Sequence, residues 1–316
     1  MTEIEAMPGY RKDNPIDLSN YRKLIGYYGF DAEVACCVRR ESGTLCREGH
    51  RHGFVAELTD DSITIIGNNC AANRFAADSA ISKDRRILEN RKLQVRRFGR
   101  LVELLDTRGA TESALSRVME ELRPLRQALD ELHTALGGNV VCRLSDMARR
   151  SRPVITVTAI TVRRYLDERG EPQTERRSVE QRIGVVAGVD LFHGDPIRAI
   201  SENVHRLTAG FKEAATVVVS KKKTGSLTID RLVALLGDSD RPARDLAQLR
   251  STHAAFLGND CRVLCYVTGE RVDRYRLAQI ALRQQALPDA REKAKALIAE
   301  LDRGYKKAFG ADDLRF

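Results

Sequence analysis

Four of the chain's seven cysteines and two of its six histidines fall between Cys36 and Cys70. In order they are Cys36, Cys37, Cys46, His50, His52 and Cys70, set among glycines, arginines and short apolar runs. Thiolate and imidazole are the ligands Zn2+ prefers, four of them in a tetrahedron at roughly 2.0 to 2.3 Å. A loop-rich segment too small to bury a core of its own gains folding free energy from such coordination. The spacing predicts the ligand set Cys37, Cys46, His52 and Cys70, with Cys36 and His50 as alternates. Cys46 is followed after three residues by His50 and after five by His52, so one short turn supplies two neighbouring ligands. The first and last ligands arrive singly, not as Cys-x2-Cys pairs. The competing expectation is that these thiols are small buried hydrophobes, and adjacent Cys36 and Cys37 cannot both face one core. Zinc is favoured because His50 and His52 sit beside Arg47, Arg51 and glycines, where an apolar core does not form.

The elements that must position these ligands are short. Phe54 to Ile66 reads as a hairpin, with FVAEL and ITIIG flanking a TDDS turn. Asn68 and Asn69 then cap a helix beginning near Cys70. A turn, a hairpin and a last ligand at a helix start resemble the layout of treble-clef zinc fingers. The His50-x-His52-Gly53 strand before the Ile66-Gly67-x-x-Cys70 turn is also similar to segments of uncharacterised phage and mobile-element proteins. Both resemblances cover residues 36–75 and imply metal binding without implying an activity. Arg51-His52-Gly53 is similar to the tripeptide that carries the nucleophile of histidine phosphatases. Those enzymes need further arginines and a second histidine around the phosphate, whereas Phe54 and Val55 follow here, so that reading is rejected.

Beyond Cys70 the sequence turns helical. Ile81, Leu88, Val95 and Val102 recur every seven residues, and Leu115, Val118, Leu122, Leu125, Leu129, Leu132 and Leu136 alternate spacings of three and four. With a break at Asp106 to Gly109, Gly109 being the cap, the two stretches predict an antiparallel coiled-coil hairpin kinked at Pro124. Nine basic residues against three acidic ones lie between Arg74 and Arg100, two-thirds of the chain's net charge of +9. Arg85, Arg86, Arg91, Lys92, Arg96 and Arg97 are therefore candidate phosphate contacts, since each neutralised phosphate releases counterions. The alternative is an ordinary solvated charged face.

Val154 to Leu166 and Thr174 to Phe192 read as a long β-hairpin, and Gly194-Asp195-Pro196 as a breaker. Helices are expected over 197–219, 227–257, 275–285 and 289–305. The run Lys221 to Lys223 lacks the glycine pattern of a phosphate loop. Asp260 to Thr268 reads as a buried strand or apolar segment holding Cys261 and Cys265 as core residues. The fold class predicted is α+β: a polar segment over 1–30, a zinc module over 31–76, a coiled-coil hairpin over 77–137, a β-rich region over 138–195 and a helical region over 196–316.

Charged residues make up 31% and aromatics 5% of the 316, with no tryptophan, which favours extended helical parts over one large core. No apolar run approaches membrane-span length and the first residues contain no signal-like stretch, so a cytoplasmic location is expected. Seven cysteines in a reducing compartment argue for metal or free thiols. No Ser-His-Asp motif context, Walker loop, dinucleotide fingerprint or His-Glu-x-x-His helix is present. The expectation is a non-enzymatic zinc protein, bacterial or phage-encoded, that associates with DNA or RNA through its basic helix. The alternative is a protein-binding adaptor or inhibitor that docks or dimerises through the coiled coil, with Leu122 and Leu129 as anchors. No small-molecule substrate is evident.

Overall fold

The apolar runs around the TDDS turn form the hairpin that their pattern demands. The computed structural model describes residues 4–220, 225–284 and 290–316. In it β1 (Tyr21–Ala35), β2 (Gly49–Leu58) and β3 (Ile63–Gly67) make an antiparallel sheet in that order. Asp61 adopts a left-handed conformation at the β2–β3 turn (φ 62), and the Ser62 N–H donates to Asp60 Oδ1 at 3.0 Å. A short polar side chain there supplies the local hydrogen bond that a turn needs. β3 is buried along its whole length, and Phe54, Val55, Ala56, Ile65 and Ile66 form the centre of the core.

Residues 21–30, expected to belong to a polar segment, form most of β1. Their apolar residues do not alternate strictly because the β1–β2 ladder shifts register at three places, between Tyr21 and Lys23, Leu24 and Gly26, and Gly29 and Val34. Each irregularity re-aims the side chains that follow.

Cys70 lies in a six-residue helix, α1 (Asn68–Asn73), capped by Gly67 without a side-chain bond. Asn68 and Asn69 are thus inside the helix and do not cap it. The long helix is a separate element, α2 (Ala80–Asp106). Ser79 caps it, its Oγ accepting from the Ser82 N–H at 3.3 Å. The root of α2 is tied to the sheet by Asp84, whose carboxylate accepts from the Tyr21 hydroxyl at 2.5 Å and the Leu24 N–H at 3.2 Å. Ile81 is fully buried in the same core and Leu88 packs against it.

The chain divides into two compact units, Met1–Glu103 with Lys223–Val233, and Leu104–Lys222 with Ala234–Phe316. α3 (Arg108–Leu136) follows α2 after Thr107 alone and runs through Pro124. Gly109 is therefore inside α3 and caps nothing. α4 (Gly138–Arg149) precedes the strands β4 (Val154–Leu166) and β5 (Pro172–Val185). The predicted breaker at 194–196 opens α5 (Pro196–Val219), with Asp195 Oδ1 accepting from the Arg198 N–H at 2.9 Å and Pro196 in the first turn. Two helices, α6 (Ser226–Gly237) and α7 (Arg241–Leu257), replace the single one expected there. Cys261 and Cys265 are buried, as expected of core residues, but on the short helix α8 (Cys261–Leu264) and its cap instead of a strand. α9 (Arg271–Gln284) and α10 (Ala290–Phe309) follow, and β6 (Asp313–Arg315) joins the second sheet in the order β5-β4-β6. Arg274 fastens this end: it pairs with Asp302 at 2.5 Å and lies over the Tyr266 and Phe316 rings at 4.8 and 4.5 Å. The lysine run Lys221 to Lys223 and the gap expected between the helices over 275–285 and 289–305 lie outside the described residues.

The chain is thus α+β with two small sheets. The seam of α3 is real, and α4, α5, α7 and α9 of its own unit cover it. Leu115, Val118, Leu122, Leu125, Leu129 and Leu136 are buried there, so Leu122 and Leu129 are core residues and not exposed anchors. Truncating a buried leucine removes transfer energy and leaves a cavity. Leu122→Ala and Leu129→Ala should each destabilise the second unit by about 2 to 5 kcal/mol in denaturant titrations, while Leu93→Ala, exposed on α2, should change stability by about 0.5 kcal/mol or less.

Candidate metal centre

Two of the three clustered cysteines are placed by a second hairpin that cysteine spacing does not reveal. Residues 36–48 fold back on themselves: the Cys36 N–H donates to the Glu48 carbonyl (3.0 Å), Cys46 N–H to Val38 (2.8 Å) and Arg40 N–H to Thr44 (2.8 Å). Gly43 takes φ +82 in its turn. Side chains alternate across such a ribbon, so Cys36, Cys46 and Glu48 share one face and Cys37 takes the other. Cys70 reaches that face from α1.

The Cys36, Cys46 and Cys70 Sγ atoms all lie within 4.8 Å of one another, and each residue is less than 5% exposed. Cys46 Sγ and Cys70 Sγ are 3.5 Å apart. Tetrahedral thiolates at about 2.3 Å from zinc stand about 3.8 Å apart, so the spacing suits one ion. Three buried cysteines therefore form a site that could hold a metal.

Charged groups frame the sulfurs. Arg40 Nη2 donates to the Cys46 carbonyl at 2.9 Å and stands 3.9 Å from Cys46 Sγ. Glu48 Oε2 lies 3.8 Å from Cys70 Sγ, and Glu48 Oε1 pairs with Arg74 Nη2 at 3.3 Å. Burial raises the Cys46 thiol, but the Glu48 backbone N–H, Cys70 and Arg40 outweigh it and bring the group below its ordinary value. Cys70 is pushed well up, first by burial and then by its Cys36 and Cys46 neighbours. Three thiolates this close repel one another, and a cation among them removes the obstacle.

The structure brings together Cys46, Cys70 and the alternate Cys36. Cys37 is left out: its Sγ faces the Ala35 carbonyl at 3.7 Å, and burial, partly opposed by Thr64, keeps its thiol protonated. His52 is exposed on β2 opposite Gly29, outside the cluster. His50 also lies outside it, with Nδ1 2.5 Å from the Tyr28 hydroxyl and Nε2 buried without a partner. Its ring rests against Gly67, where a Cβ would come within 2.6 Å of Cδ2. Gly53 is needed for a similar reason, since a Cβ there would meet the Ile66 carbonyl oxygen at 2.0 Å and Tyr28 Oη at 2.6 Å. Sequence reasoning missed Arg40, Glu48 and Arg74. Strand alternation from Cys46 points to Glu48 once the second hairpin is recognised.

The basic residues of α2 divide by environment. Arg85 is half-buried and paired with Glu89 at 2.9 Å, Arg97 pairs with Asp230 at 2.5 Å, and Lys92 Nζ lies over the Tyr27 ring at 4.5 Å. Arg86, Arg91 and Arg96 are exposed. No described helix is long and apolar enough to cross a membrane. Compared with protein-family models, curated proteins and solved structures, the chain matches none.

The two faces of the ribbon separate under mutation. Co2+ should give thiolate charge-transfer absorption that is lost in Cys36→Ala and kept in Cys37→Ala; loss in the second but not the first reverses the assignment. Cys265 has its thiol pushed up to about 12, chiefly by burial, so at pH 8 it is protonated as well as inaccessible. A thiol-specific chromogenic reagent should therefore modify exposed Cys142 rapidly and Cys265 only after denaturation.

Proposed function

We propose that the chain is a non-enzymatic zinc protein that associates with nucleic acid through the exposed basic residues of α2. One observation carries the reading: three buried thiols within reach of one ion lie in the same unit, and the same core, that fixes the root of the basic helix. Zinc fits a centre of three sulfurs because thiolates suit its borderline-soft character, and it has no redox chemistry to expose them to. Cys36, Cys46 and Cys70 supply three ligands. His50, Glu48 or water completes the set, His50 having one ring nitrogen held by Tyr28 and the other unspent, a common arrangement for a ligating histidine. Arg40 and Arg74 balance the excess negative charge of three thiolates around a divalent ion.

On α2, Arg86, Arg91 and Arg96 are free to meet phosphates without leaving an acidic partner. Such contacts give affinity that falls with salt and little sequence preference. A second reading, an adaptor or inhibitor whose zinc is purely structural, is favoured by the exposure of Ile87, Leu93, Val95 and Phe98 on the same helix. Freshly purified protein that carries one stoichiometric protein partner, and no nucleic acid at low salt, selects it.

Elemental analysis should find one zinc per chain, absent from Cys46→Ala and Cys70→Ala. Combined charge reversal, Arg86→Glu with Arg91→Glu and Arg96→Glu, should abolish binding at moderate salt. Removing three contacts corresponds to a change of roughly 2 in the slope of log affinity against log salt for a single strand. Unchanged affinity in that variant refutes the surface.

A further inference from the structure

Beside α2 and the first sheet lies a cavity of about 650 Å³, within the range of small-molecule sites. Its walls come from one unit: Tyr27 on β1, Asn68 and Asn69 on α1, and Arg85, Lys92 and Arg96 on α2. The three α2 cations are spaced seven and four residues apart, two turns and one, and so stand on a single face. Glu89, on the same wall, is engaged by Arg85 Nη1 at 2.9 Å, which leaves the lining net positive.

Hydrogen-bonding capacity is unspent here. Among the described residues, three buried side-chain polar atoms have no partner: Tyr27 Oη, Arg85 Nε and His50 Nε2. The first two belong to the cavity wall, and His50 does not line it. Buried polar groups left unsatisfied by a protein call for an explanation, and a bound ligand is one.

We infer that this cavity takes one nucleotide, its base against Tyr27 and its phosphate among Lys92, Arg96 and Arg85. The inference rests on the nucleic-acid reading above and narrows it to unpaired strands. One side of the Tyr27 ring meets Phe54 at 5.0 Å between centroids, and the Lys92 ammonium stands 4.5 Å from the Tyr27 centroid. An entering base replaces the ammonium on the ring, and Lys92 turns on its flexible stem to the phosphate. The exposed amides of Asn68 and Asn69 offer both donors and acceptors to the base edge. A base stacked and paired within a duplex cannot enter such a cavity, whereas an unpaired one can.

Fluorescence anisotropy tests this on the full chain with labelled oligothymidylate, which stacks little on itself, and a duplex of equal length. Thymidine monophosphate, thymidine and inorganic phosphate serve as unlabelled competitors. The single strand should bind at least about tenfold more tightly than the duplex, and the monophosphate should compete at least about tenfold better than thymidine or phosphate. Tyr27→Leu and Asn69→Ala should each weaken single-strand binding about fivefold or more, with Tyr27→Phe, which keeps the ring and loses the hydroxyl, weakening it less than Tyr27→Leu; Asn69 is exposed, so its substitution leaves the fold intact. Equal affinity for strand and duplex, or wild-type affinity in both weakened variants, overturns the cavity assignment. The phosphate contacts of Arg86 and Arg91 stand in that case, because neither lines the cavity. If no nucleic acid binds but calorimetry detects the free monophosphate, the earlier reading falls and the cavity is a site for free nucleotides.

Discussion

Three sulfurs within 4.8 Å of each other, taken out of water, set the terms for the first unit. Buried thiols are stable while protonated, and bringing them together adds like-charge repulsion as soon as a second one ionises. The protein partly relieves this with the Glu48 backbone N–H and two guanidinium groups. Those groups favour charge on sulfur, which a core built only for packing would not require. Charge is thus favoured on Cys46 and opposed on Cys70, and a divalent ion among the three sulfurs could accommodate several thiolates at once.

The same constraint organises what surrounds it. The ribbon of residues 36–48 supplies two sulfurs, and a short helix after β3 supplies the third, so the centre joins segments separated by the whole β2–β3 hairpin. That hairpin in turn buries the apolar face against which Ile81 and Leu88 seat the start of α2. Asp84 completes the joint, since its carboxylate replaces water for both a tyrosine hydroxyl and a strand N–H. Local order at the sulfurs and the direction in which the cationic helix leaves the sheet thus share one core. Several of that helix's charges are occupied within the unit, and the remainder define a narrower surface than composition suggests.

Much of this was legible in the sequence, and the exceptions have physical causes. The β2–β3 and β4–β5 pairs carry β-branched runs bounded by turn formers, and local pattern suffices to identify them. The choice between Cys36 and Cys37 depends on the phase of a ribbon whose strands have few apolar residues, so alternation left it open. β1 was obscured because its bulges break the period on which a strand assignment rests. Heptad spacing correctly marked the buried side of α3 but not the helices of its own unit that cover it. Periodicity reports that a face is removed from water, and the covering helices α5, α7 and α9 are distant in sequence. Arg40, Glu48 and Arg74 were invisible as members of the centre because single charged residues acquire meaning only once the folded chain brings them beside sulfur.

Gly53 extends this reasoning beyond the present chain. The β3 backbone at Ile66 and the Tyr28 ring and hydroxyl approach it so closely that even a methyl group has no room. Any other chain built on this module must solve the same crowding at the same place, and a hydrogen in place of a side chain is the simplest solution. A search pattern requiring nine residues between the first two clustered cysteines, six more before an obligatory glycine and sixteen from there to the last cysteine would be more discriminating than cysteine spacing alone. It would do so without reference to the charged helix, which could differ freely between such chains.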